Sequence, residues 1–213
     1  MASGDLVVFD AGGVLVRICR TWAEGAARAG VAAPPQGVAA PEAIDRRRAL
    51  SNLYQSGRMT AEEYFAQLAA SVGSGCDAEL AQRIHDAWLI DEYPGVGALI
   101  NDLHAAGIAT ALLSNTNERH YRVMATPGGL YPAVAALGAW FVSHELGACK
   151  PEPRIYEAVE RAVGRGPDQI IFLDDLEANI AAAARRGWRA HQIDHAGDTA
   201  AQMRARLRDL RIL

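Results

Sequence analysis

A chain of 213 residues that is 50% apolar and 22% charged has the make-up of one globular domain, or of one domain carrying an insertion. Its net charge of −4 lacks the concentrated basic surface that nucleic acid or an anionic membrane requires, and no apolar run approaches the roughly 18 residues needed to span a bilayer. Three cysteines, Cys19, Cys76 and Cys149, make neither a disulfide framework nor a zinc-ligand spacing, and the N-terminus lacks a signal-peptide pattern, so a reduced, cytoplasmic protein is expected.

Leu6–Phe9 is a short, continuous apolar run ending at Asp10 and Gly12-Gly13, which predicts a buried strand and a tight turn. From about Trp22 to Trp88 the periodicity is helical, with no strand pattern. Helices are expected over Pro41–Tyr54, from the capping box Thr60-Ala61-Glu62-Glu63 onward, and over Ala78–Leu89, with a loop at Val31–Pro41. After Pro94 strands and helices alternate: helix Val96–Ala106, strand Ile108–Leu113, a strand around Trp140–Val142, helix Arg154–Val163, strand Gln169–Leu173, helix Glu177–Arg186, strand Arg189–Ile193 and helix Thr199–Leu207. That alternation predicts an α/β fold, a Rossmann-like parallel sheet flanked by helices, with an inserted α-helical cap subdomain. The expected division is a core of residues 1–18 and 92–213 and a cap of residues 19–91. The arginine runs at Arg46–Arg48, Arg185–Arg186 and the last ten residues fall in helical patterns and read as solvated faces.

In open α/β sheets ligands bind beyond the carboxyl ends of the strands. Four such ends carry polar groups here: Asp10, Ser114-Asn115, the stretch leading to Lys150, and Asp174-Asp175. Any one of them could be a turn residue or helix cap; four together suit phosphoryl transfer. A carboxylate such as Asp10 can attack phosphorus and divide one hard step into two. The oxygen cluster of Asp10, Asp174 and Asp175 suits Mg²⁺, which binds through one or two carboxylates and the substrate phosphate. Lys150 supplies a point charge, and Ser114 with nearby main-chain N–H groups can bond phosphate oxygens.

The same residues resemble the four motifs of the haloacid-dehalogenase superfamily, in order: Phe9-Asp10-Ala11-Gly12-Gly13-Val14-Leu15, Leu113-Ser114-Asn115-Thr116-Asn117, Lys150-Pro151-Glu152-Pro153-Arg154-Ile155-Tyr156 and Phe172-Leu173-Asp174-Asp175. The stretches Ser114–His120 and Glu145–Glu152 further resemble the branch of α-D-glucose-1-phosphate phosphatases and the N-terminal domains of soluble epoxide hydrolases. The resemblance implies a Mg²⁺-dependent phosphatase acting on a small phosphorylated metabolite, as a monomer or homodimer, with Asp10, Ser114 and Lys150 catalytic. It implies Mg²⁺ on Asp10, the Gly12 carbonyl and Asp174, with Asp175 in support, and substrate contacts at Gly12, Gly13, Asn115 and His120. Gly12 departs from the pattern, because most phosphatases of the superfamily carry there the Asp that exchanges the leaving-group proton. His120 or a water near the metal is an alternative carrier. A metal-independent 2-haloacid dehalogenase using Asp10 and a catalytically silent binding module are the competing expectations. His85, His104, His191 and His195 read as structural or surface histidines, and His144 and Glu145 as turn or site-lining residues. Trp22, Tyr54, Tyr64, Phe65 and Trp88 read as the apolar seam of the cap, one or two of them facing substrate.

Overall fold

The computed structural model describes residues 4–31, 40–72 and 75–213. A five-stranded parallel sheet forms the centre, in the order β5-β4-β1-β6-β7: β1 Leu6–Phe9, β4 Ala109–Ser114, β5 Ala139–Val142, β6 Ile170–Asp174 and β7 Arg189–Gln192. The central strands are apolar on both faces because both are covered. Val7, Phe9, Leu112, Ile171 and Leu173 enter one core with helices α5 (Val96–Ala105) and α11 (Thr199–Asp209). Leu6, Val8, Leu113, Ile170 and Phe172 enter the other, with α9 (Pro153–Val163) and α10 (Glu177–Arg185). These elements match the sequence reading to within a residue or two at each end.

A second sheet was not foreseen. Strand β2 (Val16–Ile18) pairs antiparallel with β3 (Leu89–Glu92), closed by an Arg17–Asp91 ion pair, and forms a stem through which the chain leaves the core and returns. Each strand is only three or four residues long, too short for period-2 alternation to register. The helix expected over Ala78–Leu89 therefore stops early. It spans Ala78–Asp86 (α4), and Leu89 already belongs to β3.

Between the stem strands lie α1 (Trp22–Arg28), α2 (Pro41–Gln55), α3 (Ala61–Val72) and α4, packed on a small core of their own built from Leu50, Tyr54, Tyr64, Phe65 and Leu68. The capping box forms as read: Glu63 N–H donates to Thr60 Oγ1 and Thr60 N–H donates to Glu63 Oε2, at 3.2 and 3.0 Å. The loop expected at Val31–Pro41 lies almost wholly outside the described residues. Further short helices are α6 (Glu118–Ala125), α7 (Pro132–Ala135) and α8 (Ser143–Leu146). Two arginines depart from the solvated reading. Arg47 lies over the Trp22 ring at 5.4 Å, and Arg186 forks onto Glu160 while also reaching Glu157. Among the described residues no helix is long and apolar enough to cross a membrane.

Candidate functional site

Parallel pairing places three strand ends at one edge. Phe9 is in register with Leu112 of β4 and with Leu173 of β6, so Asp10, Ser114 and Asp174 emerge side by side at the middle of the sheet. Asp10 N–H still donates to Leu173 O at 2.9 Å, extending the ladder by one residue before the chain turns. The turn needs glycine. Gly13 adopts φ +87°, and a Cβ there would collide with Asp175 and Arg20.

Asp10, Asp174 and Asp175 are all buried, and each offers an oxygen within 4.8 Å of the others. Lys150, carried by the loop between α8 and α9, is 5% exposed and sits among them. Its Nζ donates to Leu113 O at 2.8 Å and stands 2.7 Å from both Asp10 Oδ1 and Asp174 Oδ2. An ammonium has three hydrogens, so these three acceptors use all of them. Lys150 thus neutralises the carboxylates, and the direct phosphate contact foreseen for it has no spare hydrogen here.

Asp174 is held rigidly. Asn179 Nδ2 donates to both its oxygens at 3.0 Å, and Leu176 N–H donates to Oδ1 at 2.8 Å. Asp10 Oδ1 accepts from Ala11 N–H at 2.7 Å as well as from Lys150, while among the described residues Oδ2 accepts no hydrogen bond. Burial pushes the Asp10 carboxyl up to about 7; Lys150 opposes this, and the Asp174 and Asp175 charges reinforce it. Burial likewise works against the Lys150 ammonium, but Asp10 and Asp174 outweigh it and hold the group above its ordinary value. One buried cation among three carboxylates leaves the cluster short of positive charge. Asp175, raised by burial, meets the guanidinium of Arg20 at 3.0 Å and the His195 ring at 3.7 Å. Arg20 escaped the sequence reading, since a lone arginine after a short strand carries no motif.

Ser114 is 3% exposed, and among the described residues its hydroxyl makes no hydrogen bond. Asn115 behaves differently from the expected ligand contact. Its Nδ2 donates to Lys150 O at 2.8 Å and its Oδ1 accepts from Lys150 N–H at 2.7 Å, so the side chain positions Lys150. His120 is buried, and both its ring nitrogens are engaged. Nε2 is 2.9 Å from His85 O and Nδ1 is 3.4 Å from Asn117 Nδ2. His85 is the structural histidine that the sequence suggests: it stacks on His120 and meets Asn117 through Nε2. His144 lies in helix α8, not in a turn, and its ring packs against Tyr121.

Above Ala11-Gly12 and Ser114–Asn117 opens a cavity of about 210 Å³, roofed by the helical insertion. Trp22, Tyr54, Tyr64 and Trp88 line it, more of the aromatic seam than expected; Phe65 does not. A Cβ at position 12 would sit in tight contact with Ile18, 3.0 Å from its Cδ1 methyl.

Comparison with known proteins adds the following. A family model described as a haloacid dehalogenase-like hydrolase matches residues 5–187. The phosphatase MT3486 of Mycobacterium tuberculosis is 27% identical over 140 residues, covering 64% of this chain and 63% of that protein. (S)-2-haloacid dehalogenases are also relatives, at 28% and 24% identity. The chain spans less than two thirds of the length of these curated relatives. A predicted HAD-like family hydrolase of Porphyromonas gingivalis superposes with a TM-score of 0.77 at 25% identity, covering 96% of this chain and 98% of that one. A HAD family enzyme of Bacteroides thetaiotaomicron, crystallised with magnesium and inorganic phosphate, superposes with a TM-score of 0.66 at 19% identity, covering 91% and 96%.

Proposed function

The chain belongs to the haloacid dehalogenase-like hydrolases, and from that premise we propose that it is a Mg²⁺-dependent phosphatase of a small phosphorylated metabolite, working through an aspartyl-phosphate on Asp10. The observation that carries this reading is the Oδ2 of Asp10, uncommitted among the described residues, beside two further buried carboxylates. In the proposed first step Oδ2 forms a bond to phosphorus as the ester oxygen leaves; water then cleaves the acyl phosphate and regenerates the carboxylate. Ser114 Oγ and main-chain N–H groups of the loop after β4 bind the phosphoryl oxygens. Lys150 keeps Asp10 and Asp174 oriented and partly neutralised, with Asn115 fixing the Lys150 main chain. Gly12 and Gly13 let the main chain approach the phosphate closely, and His120 braces the cavity wall.

The residues present fit Mg²⁺. The donors are all oxygen, they converge, and Lys150 and Arg20 supply only two positive charges to three carboxylates. Asp10, Asp174 and the Gly12 carbonyl would hold the ion, with Asp175 behind them. When bound, it supplies the positive charge that lets a carboxylate approach a phosphate dianion. The magnesium and phosphate complex of the B. thetaiotaomicron enzyme and the M. tuberculosis phosphatase support this reading. We assign residues 1–18 and 92–213 to the catalytic core and 19–91 to a cap over it. Release of phosphate from 4-nitrophenyl phosphate tests the proposal: activity with Mg²⁺, its loss in EDTA and its loss in Asp10→Asn are expected. The dehalogenase relatives motivate the second reading. Chloride release from 2-chloropropionate in EDTA would establish it in place of the first.

A further inference from the structure

The cavity above Ala11-Gly12 and Ser114–Asn117 has uncharged walls. Among the described residues, no side chain lining it bears a carboxylate, an ammonium or a guanidinium. Asp10, Lys150, Asp174 and Asp175 are not among the lining residues, whereas their neighbours Ala11-Gly12 and Ser114-Asn115 are. Around the space where a leaving group would sit stand Trp22, Trp88, Tyr54 and Tyr64, with Ser51 and Gln55 between them. Ser51 Oγ and Tyr64 Oη are already paired at 3.2 Å. His85 and His120 also face this space and stay neutral, their basicity suppressed by burial.

Resting on the phosphatase reading above, we propose that this cavity restricts the enzyme to phosphate monoesters whose leaving group is uncharged. A buried charge without a partner is far costlier than a buried neutral polar group, and no lining side chain offers a counter-charge; the nearest cation, Arg47, lies over the Trp22 ring and outside the lining. Flat aromatic walls suit the face of a ring, aromatic or saturated.

The test uses ester pairs matched in size and differing only in charge, assayed for phosphate release by the whole chain with Mg²⁺. 4-Carbamoylphenyl phosphate against 4-carboxyphenyl phosphate probes a negative charge. Glucose 6-phosphate against glucosamine 6-phosphate probes a positive one. The two pairs also distinguish an aromatic from a saturated ring. In whichever ring type is turned over, the neutral member is expected to have a kcat/KM at least about 100-fold higher. Gln55→Arg places a cation on the wall, away from the reacting atoms, and is expected to narrow the carbamoyl-to-carboxyl gap by about tenfold or more. Equal kcat/KM within the pairs, with phosphate released, overturns the inference and leaves the phosphatase reading intact. An unchanged gap in a folded Gln55→Arg overturns the assignment of selectivity to this wall. No release from any ester removes both the phosphatase reading and the inference.

Discussion

His85 lies flat on His120, the two rings 4.2 Å apart and 7° from parallel. One ring belongs to α4 of the helical insertion and the other to α6 of the core. Asn117 locks the pair. Its Oδ1 accepts from Arg119 N–H and His120 N–H as the cap of α6, so its Nδ2 must point at His85 Nε2 and His120 Nδ1. A donor facing both nitrogens leaves no place for a proton on either.

Stability should therefore fall in mild acid. Burial, and for His85 the adjacent His120, holds both rings below their ordinary value of 6.5. Below that pH the unfolded chain takes up protons that the folded chain refuses, so the contribution present above 6.5 is lost as pH drops towards the lower folded values. Thermal melts between pH 7.5 and 5, run in an Asp10→Asn background to remove the opposing titration of Asp10, should show Tm declining. His120→Gln should decline less steeply. Parallel curves for the two proteins would show that the stacked pair stays out of the titration.

Asp10→Asn is expected to abolish turnover and to raise stability when metal is removed. The raised Asp10 pKa means that the folded state holds its proton up to about 7, whereas the unfolded chain loses it near 3.8. As pH rises between those values, ionising Asp10 costs folding energy, and at pH 8 the cost is complete. The neutral amide escapes it. A gain of about 1 kcal/mol corresponds to roughly 2–4 °C in a chain of this length. Melts in EDTA at pH 8 measure it, and a lower Tm for the variant would mean that the Asp10–Lys150 contact outweighs the burial of charge.

The strands that carry the site were legible because a buried parallel strand is a solid apolar run and its first polar residue stands out. Leu6–Phe9 before Asp10 and Ile170–Leu173 before Asp174 both show this. The stem strands were not, since three or four residues cannot establish a period. Arg20 was missed for another reason. Its partner Asp175 lies 155 residues away, and only the tertiary fold makes a solitary arginine informative. Asn115 was read as a ligand contact because its place in the motif was visible while its two bonds to the Lys150 main chain were not.

Gly13→Ala should damage the site without touching any polar group. At φ +87° a side chain is strained, and its Cβ would displace Asp175 and Arg20. We expect a loss of about 1–3 kcal/mol in stability and a fall in Mg²⁺ affinity beyond that seen for Gly107→Ala. Gly107 also has positive φ, at 73°, but open space around its Cβ position. Calorimetric Mg²⁺ titration of the two variants separates strain from displacement; equal affinities would assign the whole effect to backbone strain.

Gly12 raises the question of where the leaving-group proton comes from, and Ile18 frames the answer. A Cβ at position 12 would lie 3.0 Å from Ile18 Cδ1, so the isoleucine methyl must give by a few tenths of an ångström to admit an Asp there. Gly12→Asp alone is expected to bring little gain, and Gly12→Asp with Ile18→Ala substantially more. A positioned general acid is worth about a hundredfold or more, but only where the leaving oxygen needs a proton. The double variant should therefore speed hydrolysis of an alkyl phosphate by at least about tenfold over Gly12→Asp, and leave 4-nitrophenyl phosphate, whose phenolate departs unprotonated, nearly unchanged. Equal acceleration of both esters would mean that trimming Ile18 merely enlarges the cavity. No acceleration of the alkyl ester would mean that proton delivery does not limit this enzyme, and that the chain already supplies it from another group.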